Sequence, residues 1–192
     1  NAVGGNYFKE FRPETHTMKP FKIPAHWLRY RSFDYGLDMF ACIWWAVDED
    51  GRCWAYRAFS KKDLIVQEAA AEAKRHTLPG ETITVTYAPP DMWSRQKDTG
   101  RTMAETFMVN GLPIVKSDNN RVQGHMMIKD MMAPIPLKDP FVRGLFPAGE
   151  IPEKLPGLMF FDDHTLEDVV TNIEDIQADE KNPNDCATQP HE

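Results

Sequence analysis

The sequence predicts an α/β domain built on one mixed sheet, with an antiparallel hairpin first and parallel strands after it. An almost wholly apolar run over 39–48 reaches the turn residues Asp50 and Gly51 and returns as an alternating strand over 52–59. Beyond this hairpin, helical segments alternate with short β-branched ones. Such alternation is typical of helices that connect parallel strands.

The remaining elements follow from local patterns. Residues 30–36 form the first strand, and the run over 39–48 is predicted to be covered on both faces because almost no polar residue interrupts it. The later elements are helices over 61–76, 102–110, 119–133 and 165–178 and strands over 83–87, 113–116 and 158–161. The methionines of the third helix are predicted to fill the core, and they are Met126, Met127, Met131 and Met132. This order of elements is the ribonuclease H-like arrangement, with helices on both faces of the sheet.

Composition divides the chain into three parts. Residues 1–28 are rich in proline, glycine and aromatic residues and lack a helical period, so we predict an extended connector that packs its aromatic side chains on another surface. The ribonuclease H-like domain is predicted over 29–178, and an acidic polar tail over 179–192. Ten acidic residues against one lysine give 162–192 a charge of −9, which leaves +2 on the rest of a chain whose net charge is −7.

Composition also excludes several classes of protein. The 192 residues, 42% of them hydrophobic, suffice for one domain with a buried core. The sequence has no run near the roughly 18 consecutive apolar residues of a membrane span, no signal-peptide pattern and no P-loop motif. Cys42, Cys53 and Cys186 are widely spaced, so we interpret them as reduced thiols rather than as zinc ligands or disulfides.

Two acidic residues follow strands that are neighbours in the predicted sheet. Asp34 lies at the end of the first strand, and Asp91 follows the strand over 83–87. The two carboxylates are therefore expected at one edge of the sheet, where they repel each other unless a cation joins them. Mg²⁺ takes one or two carboxylates of this kind, and two ions about 3.5–4 Å apart can hydrolyse a phosphodiester. The alternative for Asp34 is a cap on the turn at Gly36.

A third acidic residue and a basic group complete the candidate site. Asp163 follows the last predicted core strand, but Asp162–His164 also suits the N-terminal cap of the next helix, so both interpretations stay open. Basic residues after the second acid either bind phosphates or form a solvated face. They are Arg95, Lys97, Arg101, Arg121 and Lys129.

Four segments occur in a recognisable order: FDYG at 33–36, VDEDGR at 47–52, YAPPDMW at 87–93 and NNRVQG at 119–124. Together they resemble the nuclease domain of the large terminase subunit of tailed bacteriophages. The segment GNYFKEF at 5–11 is similar to the connector that joins the ATPase and nuclease domains in that family.

The resemblance implies an endonuclease that cuts concatemeric double-stranded viral DNA during genome packaging, with Mg²⁺ or Mn²⁺ in a two-metal site. Asp34 matches the first metal-binding acid of the family and Asp91 the second, and a third acid is expected beyond Glu192. The implied partners are DNA, a packaging ATPase domain on the same full-length polypeptide, and the portal and small terminase subunit. The implied location is the host cytoplasm rather than the mature virion.

Two other functions remain compatible with the sequence. One is a different ribonuclease H-like strand cutter, such as a junction resolvase. The other is a docking module without catalytic activity, which contacts the portal or the small terminase subunit. Both enzyme hypotheses require Asp34 and Asp91 to face one site, whereas docking is indifferent to them.

Overall fold

The computed structural model describes residues 5–36, 38–118, 120–182 and 184–187, with the backbone alone at 121 and 122. Within these residues the strands are β1 (Thr17–Met18), β2 (Leu28–Tyr35), β3 (Phe40–Val47), β4 (Cys53–Lys61), β5 (Ile83–Ala88), β6 (Val115–Lys116), β7 (Pro134–Pro136), β8 (Lys154–Pro156) and β9 (Leu158–Phe161). The helices are α1 (Pro13–His16), α2 (Val66–Arg75), α3 (Met103–Val109), α4 (Arg121–Met132), α5 (Pro140–Arg143) and α6 (Glu167–Asp175). Short 3-10 turns cover Pro90–Trp93 and His164–Leu166.

Seven strands form one sheet in the order β1-β9-β4-β3-β2-β5-β6, and β7 pairs with β8 apart from it. β3 runs antiparallel to β2 and β4. The pairings of β2 with β5, β5 with β6, β4 with β9 and β9 with β1 are parallel. The predicted mixed sheet, with its hairpin first, is confirmed. No described helix combines the length and the apolar character that a membrane span requires.

Helices cover both faces of the sheet and bury a core rich in aromatic residues. Trp44 and Trp54, on β3 and β4, have no exposed surface. On one face, Phe33 of β2 packs against Phe107 of α3, with 4.8 Å between the ring centroids. The prediction that β3 is covered on both faces is confirmed in part, because its residues alternate between buried and half-buried.

The first long helix starts later than the sequence predicts. The expected start is residue 61, but β4 continues to Lys61 and α2 begins at Val66. Asp63 lies between them with a φ of 57°, in the left-handed region that interrupts regular structure. In α3, by contrast, the sequence signal holds: Thr102 accepts from the Glu105 N–H at 3.1 Å, and Glu105 accepts from the Thr102 N–H at 2.9 Å. This reciprocal pair is a capping box.

The N-terminal segment is packed into the domain. Tyr7, Phe8 and Phe11 are buried, and the Phe11 ring lies 5.8 Å from that of Phe160 on β9. Residues 17–18 then add β1 to the sheet beside β9. The surface that receives these aromatic side chains is therefore the domain itself, and the boundary at residue 28 stays a prediction.

The predicted role of the methionines in α4 is wrong for two of them. Met126 and Met127 are 51% and 58% exposed, whereas Met132 is buried and Met131 is partly buried against the core. Ile128 and Met132 lie four residues apart and so share the inner face of the helix. Met126 and Met127 fall outside that face.

A buried arginine ties the β3–β4 turn to the irregular segment over 134–157. Arg52 has no exposed side-chain surface and donates to Asp48 at 2.8 Å, to Asp50 at 3.1 Å and to the Pro156 carbonyl at 2.8 Å. Asp50 also accepts from the N–H groups of Lys138 and Asp139 at 2.9 and 3.0 Å. Burial alone would raise the pKa of Asp50, but these N–H groups and the guanidinium outweigh it and hold the pKa below its ordinary value.

Replacing Arg52 by methionine is expected to lower the free energy of unfolding by about 3–5 kcal/mol, because the buried Asp48 carboxylate loses its cation. Urea denaturation followed by circular dichroism measures the change. The control is Arg75→Met, whose ion pair with Glu72 is exposed on the arginine side and is expected to contribute less than about 1 kcal/mol. An equal effect of the two substitutions would contradict a structural role for the buried network.

Candidate active site

Asp34 and Asp91 lie at the same edge of the sheet, Asp34 near the end of β2 and Asp91 just beyond the end of the adjacent strand β5. The parallel pairing of β2 with β5 sets Ser32 opposite Tyr87. Asp34 follows two residues after Ser32, and Asp91 four residues after Tyr87, in the 3-10 turn Pro90–Trp93. Since paired strands lie about 4.8 Å apart, the register places both acids at the carboxyl ends of neighbouring strands. The contact between the two carboxylates stays a prediction.

Both carboxylates are available to a ligand. Asp34 and Asp91 are exposed, and neither side chain makes a hydrogen bond or ion pair within the described ranges. This arrangement does not support Asp34 as a cap, because the Gly36 N–H donates instead to the Met39 carbonyl at 2.9 Å. Exposed carboxylate oxygens at a rigid sheet edge are suitable ligands for a hard divalent cation.

The strand alternation of β2 fixes the face on which Asp34 lies. Arg31 and Phe33 point toward α2 and α3, since Arg31 donates to Thr77 at 3.0 Å just after α2. Asp34 therefore points to the opposite face, with Ser32. That second face carries Trp45, which donates to Ser32 at 2.8 Å and lies 6.4 Å from the Phe160 ring. It is the face against which Phe11 of the N-terminal segment packs.

Three of the predicted basic residues lie on one exposed loop directly after Asp91. Arg95, Lys97 and Arg101 are all exposed. Two backbone contacts close the loop. The Gln96 N–H donates to the Arg101 carbonyl at 2.9 Å, and Arg95 and Thr102 form an isolated antiparallel β-bridge. Their place on the loop that follows Asp91 agrees with the sequence, and their contact with DNA stays a prediction.

The two remaining basic residues are placed differently. The Lys129 ammonium lies 3.8 Å from the centre of the Tyr7 ring, where the ring face attracts the cation. Lys129 therefore has a structural partner, and its predicted phosphate contact stays a prediction. Arg121 is the first residue of α4, and its side chain lies outside the described part of the chain.

Lys116 and Tyr87 are two further exposed side chains on the strands next to Asp91, and the sequence did not single them out. Lys116 is exposed at the end of β6, next to β5, and its ammonium lies 5.4 Å from the centre of the Trp93 ring in the turn that carries Asp91. Tyr87 is 39% exposed and stacks on Tyr30 at 6.4 Å. The sequence predicts the strand over 113–116 that contains Lys116, but not its pairing beside β5, because strand pairing depends on residues distant in sequence.

Asp163 has a structural role beside its predicted catalytic one. It accepts from the Thr165 N–H at 2.9 Å and from the Thr165 hydroxyl at 2.6 Å, which caps the turn before α6. Burial raises the pKa of Asp163, but the Thr165 donors and the charges of His164 and Arg57 outweigh it and leave the pKa lowered. Asp163 also lines a cavity of about 960 Å³ together with Arg29, Arg57 and Glu81.

That cavity lies on the other face of the sheet from Asp34. Arg57 of β4 is paired with Trp44 of β3, which is in turn paired with Arg31 of β2. Arg57, which lines the cavity, therefore lies on the face of Arg31, opposite to that of Asp34. Within the described ranges, Asp34, Asp91 and Asp163 do not form a group of three whose ligand atoms all lie within 4.8 Å of one another. The predicted third ligand remains a prediction.

Comparisons with known proteins place this geometry in context. No protein-family model matches the chain, and no curated protein sequence matches it. The nuclease domain of the P22 large terminase matches in structure with a TM-score of 0.67, at 17% identity, over 96% of this chain and 84% of that one.

Two further solved structures match. One is the large terminase of a thermophilic bacteriophage, with a TM-score of 0.66 at 10% identity, over 97% of this chain and 42% of that one. The other is the large terminase nuclease domain of bacteriophage SPP1 with bound manganese, with a TM-score of 0.58 at 11% identity, over 97% and 91%.

The chain has the fold of a large-terminase nuclease domain. This confirms the predicted ribonuclease H-like arrangement. It also confirms, at the level of the fold, the resemblance to the terminase nuclease domain that the four sequence segments indicate. The chain spans 42% of the length of the large terminase from the thermophilic bacteriophage, so this fold forms one part of that longer protein.

The cap at Asp163 generates a pH-dependent prediction. Because its pKa is lowered on folding, the charged carboxylate stabilises the fold fully above the unfolded-state pKa of about 3.9, and this stabilisation disappears as the pH falls through the lower folded-state pKa. The Asp163→Asn variant keeps a capping oxygen but no charge. Its melting temperature is expected to lie below the wild-type value at about pH 7, and the difference should shrink toward about pH 3. Thermal denaturation measures this, and a constant difference would contradict the lowered pKa.

Proposed function

We propose that this chain is a divalent-metal-dependent endonuclease domain that cuts concatemeric double-stranded DNA during viral genome packaging. The observation that supports this most directly is the pair of exposed acids, Asp34 and Asp91, at the carboxyl ends of adjacent parallel strands. The pair occurs on the fold of the large-terminase nuclease domains of P22 and SPP1.

The acids are proposed to hold Mg²⁺ or Mn²⁺ in a two-metal site. The bound manganese of the SPP1 nuclease domain supports a divalent cation. When bound, such ions activate a water molecule and stabilise the leaving oxygen of the phosphodiester. The protein supplies rigid positions for the ligands. Asp34 is paired with Ala41 of β3, in a strand whose earlier residues also pair with β5, and Asp91 lies in a turn fixed by the Met92 and Ser94 N–H groups.

The exposed loop after Asp91 is proposed to contact DNA. Arg95, Lys97 and Arg101 place three cations beside the second acid, and Lys116 adds a fourth from β6. Since each neutralised phosphate releases counterions, binding through so few cations should be weak and strongly salt-dependent. Contacts with the DNA backbone do not distinguish between bases, so we expect little sequence preference.

The remaining parts of the proposal depend on the family resemblance. A third metal ligand is proposed either at Asp163 or beyond Glu192. The ATPase domain is proposed to belong to the same full-length polypeptide, consistent with the large terminase of the thermophilic bacteriophage, which has been solved in complex with ADP. The portal and small terminase subunit as partners, and the host cytoplasm as location, are proposals as well.

Asp34→Asn is expected to reduce plasmid nicking in Mn²⁺ to below roughly 1% of the wild-type rate, because the variant loses a charged metal ligand. Its melting temperature without metal should be unchanged or raised, since a charge that repels Asp91 is removed. Asp98→Asn is the matched control, because it removes an exposed charge from the loop after Asp91. Equal nicking by wild type and Asp34→Asn would indicate a contaminating nuclease or another site.

Substitution at Asp163 distinguishes the two proposed third ligands. If Asp163 binds metal, Asp163→Asn should lose nicking as severely as Asp34→Asn. If it serves as a cap alone, nicking at a temperature well below unfolding should persist.

Lys97→Gln is expected to reduce the slope of the logarithm of DNA affinity against the logarithm of salt concentration by about 0.9. Fluorescence anisotropy with a labelled duplex and no divalent metal measures this slope. Lys181→Gln, in the acidic segment, is the matched control and should leave the slope unchanged. A similar change in both variants would show that the loop after Asp91 is not the DNA contact.

A further inference from the structure

The N-terminal segment and two neighbouring stretches near the end of the described chain meet beside α4. The N-terminal segment pairs with the end of the chain, since the Tyr7 N–H donates to the Ile176 carbonyl at 2.7 Å and the Ala178 N–H to the Gly5 carbonyl at 3.1 Å. The chain then turns back, and the backbone of Cys186 pairs with that of Ala178 in an isolated antiparallel β-bridge. The Tyr7 hydroxyl donates to the Asn184 carbonyl at 3.0 Å, which fixes this returning segment.

His125 of α4 points into this junction. Its ring lies 5.4 Å from the Tyr7 ring and 6.2 Å from the Phe8 ring. Its Nδ1 atom is buried and makes no hydrogen bond to a described residue. The Asp185 carboxylate oxygen nearest to this nitrogen is 3.6 Å away, which is too far for a hydrogen bond.

Three different ligand atoms converge at this point. A histidine nitrogen, a carboxylate oxygen and a thiol sulfur, from His125, Asp185 and Cys186, all lie within 4.8 Å of one another, and each residue is half-buried. Within the described ranges, no other set of three histidine, cysteine or acidic residues comes so close. The returning segment is tightly placed, because the Asp179 N–H donates to the Asp185 carbonyl and the Ala187 N–H to the Gln177 carbonyl.

We propose that His125, Asp185 and Cys186 bind a transition-metal ion of the zinc type. Imidazole and thiolate ligands favour Zn²⁺ over Mg²⁺ or Mn²⁺, which prefer oxygen. Zinc bonds of roughly 2.0–2.3 Å place the ligands of a tetrahedron about 3.5 Å apart, so binding requires side-chain shifts on the order of 1 Å. Water supplies the fourth ligand, and the thiol proton is released to solvent.

The ion would act as a clamp and not as part of the proposed nuclease centre. His125 belongs to α4, whereas Asp185 and Cys186 belong to the returning segment, which also contacts the N-terminal segment through Tyr7. One ion therefore fastens both ends of the described chain to a helix that packs on β9. The donor set distinguishes this site chemically from the all-oxygen pair Asp34 and Asp91.

Cobalt absorption spectroscopy on the whole 192-residue chain, without an affinity tag, tests the proposal. Addition of Co²⁺ should produce a thiolate-to-metal charge-transfer band, which Zn²⁺ abolishes and Mn²⁺ does not. The band should be lost in Cys186→Ser and kept in Cys53→Ser, which alters a thiol elsewhere in the fold. His125→Gln should weaken Co²⁺ binding by more than about tenfold. Absence of the band from the wild type, or its persistence in Cys186→Ser, would overturn the proposal.

A second measurement needs no variant of the three proposed ligands. Zn²⁺ should protect Cys186 of the wild type from alkylation by iodoacetamide, as read by mass spectrometry, while Mg²⁺ should not. Cys42 is an internal reference, because burial raises its pKa to about 12 and keeps it unreactive in either case. Amide hydrogen exchange over 176–187 should slow with Zn²⁺ in the wild type and equally in Asp34→Asn. Alkylation of Cys186 at the same rate with and without Zn²⁺ would rule the site out, independently of any nuclease activity.

Discussion

The parallel pairing of β2 with β5 determines where the candidate chemistry can occur. With Ser32 opposite Tyr87, the strands end within a residue or two of each other, and both acids fall at one edge. A shift of one residue in β2 would turn Asp34 toward the face packed by α2 and α3 and would move Phe33 out of the core. The aromatic contacts of Phe33 on that face therefore hold the acid on the other one.

The hairpin that precedes this pairing is itself held from outside the sheet. Arg52 links the turn at Asp48 and Asp50 to backbone carbonyls of the segment that includes β7 and β8. Glycine at position 157 matches this arrangement, because an added Cβ would lie 2.7 Å from the Met131 carbonyl oxygen. The irregular segment after α4 is thus held by two features, which are the buried Arg52 guanidinium and the close approach of Gly157 to the Met131 backbone.

The sequence predicted every long strand and helix of the domain within a few residues, because each has a hydrophobic period or a capping signal of its own. It also predicted that Asp34 and Asp91 fall at one edge of the sheet, which the pairing of β2 with β5 agrees with, while their role as metal ligands stays a prediction. It did not predict β1, the pairing of β7 with β8, or the position of Lys116 over the Trp93 ring, since such short segments acquire their structure from distant partners. The wide spacing of the three cysteines argued against a zinc site whose ligands are close together in the sequence. The junction at His125 instead brings together residues about sixty positions apart.

Both edge strands of the seven-stranded sheet are only two residues long. β1 closes one side at Thr17–Met18, and β6 closes the other at Val115–Lys116. Unpaired backbone at a long border invites another chain to add a strand and is a frequent origin of aggregation. Here such a border offers too little backbone for that. Another protein molecule would therefore contact these edges through side chains rather than by adding a strand.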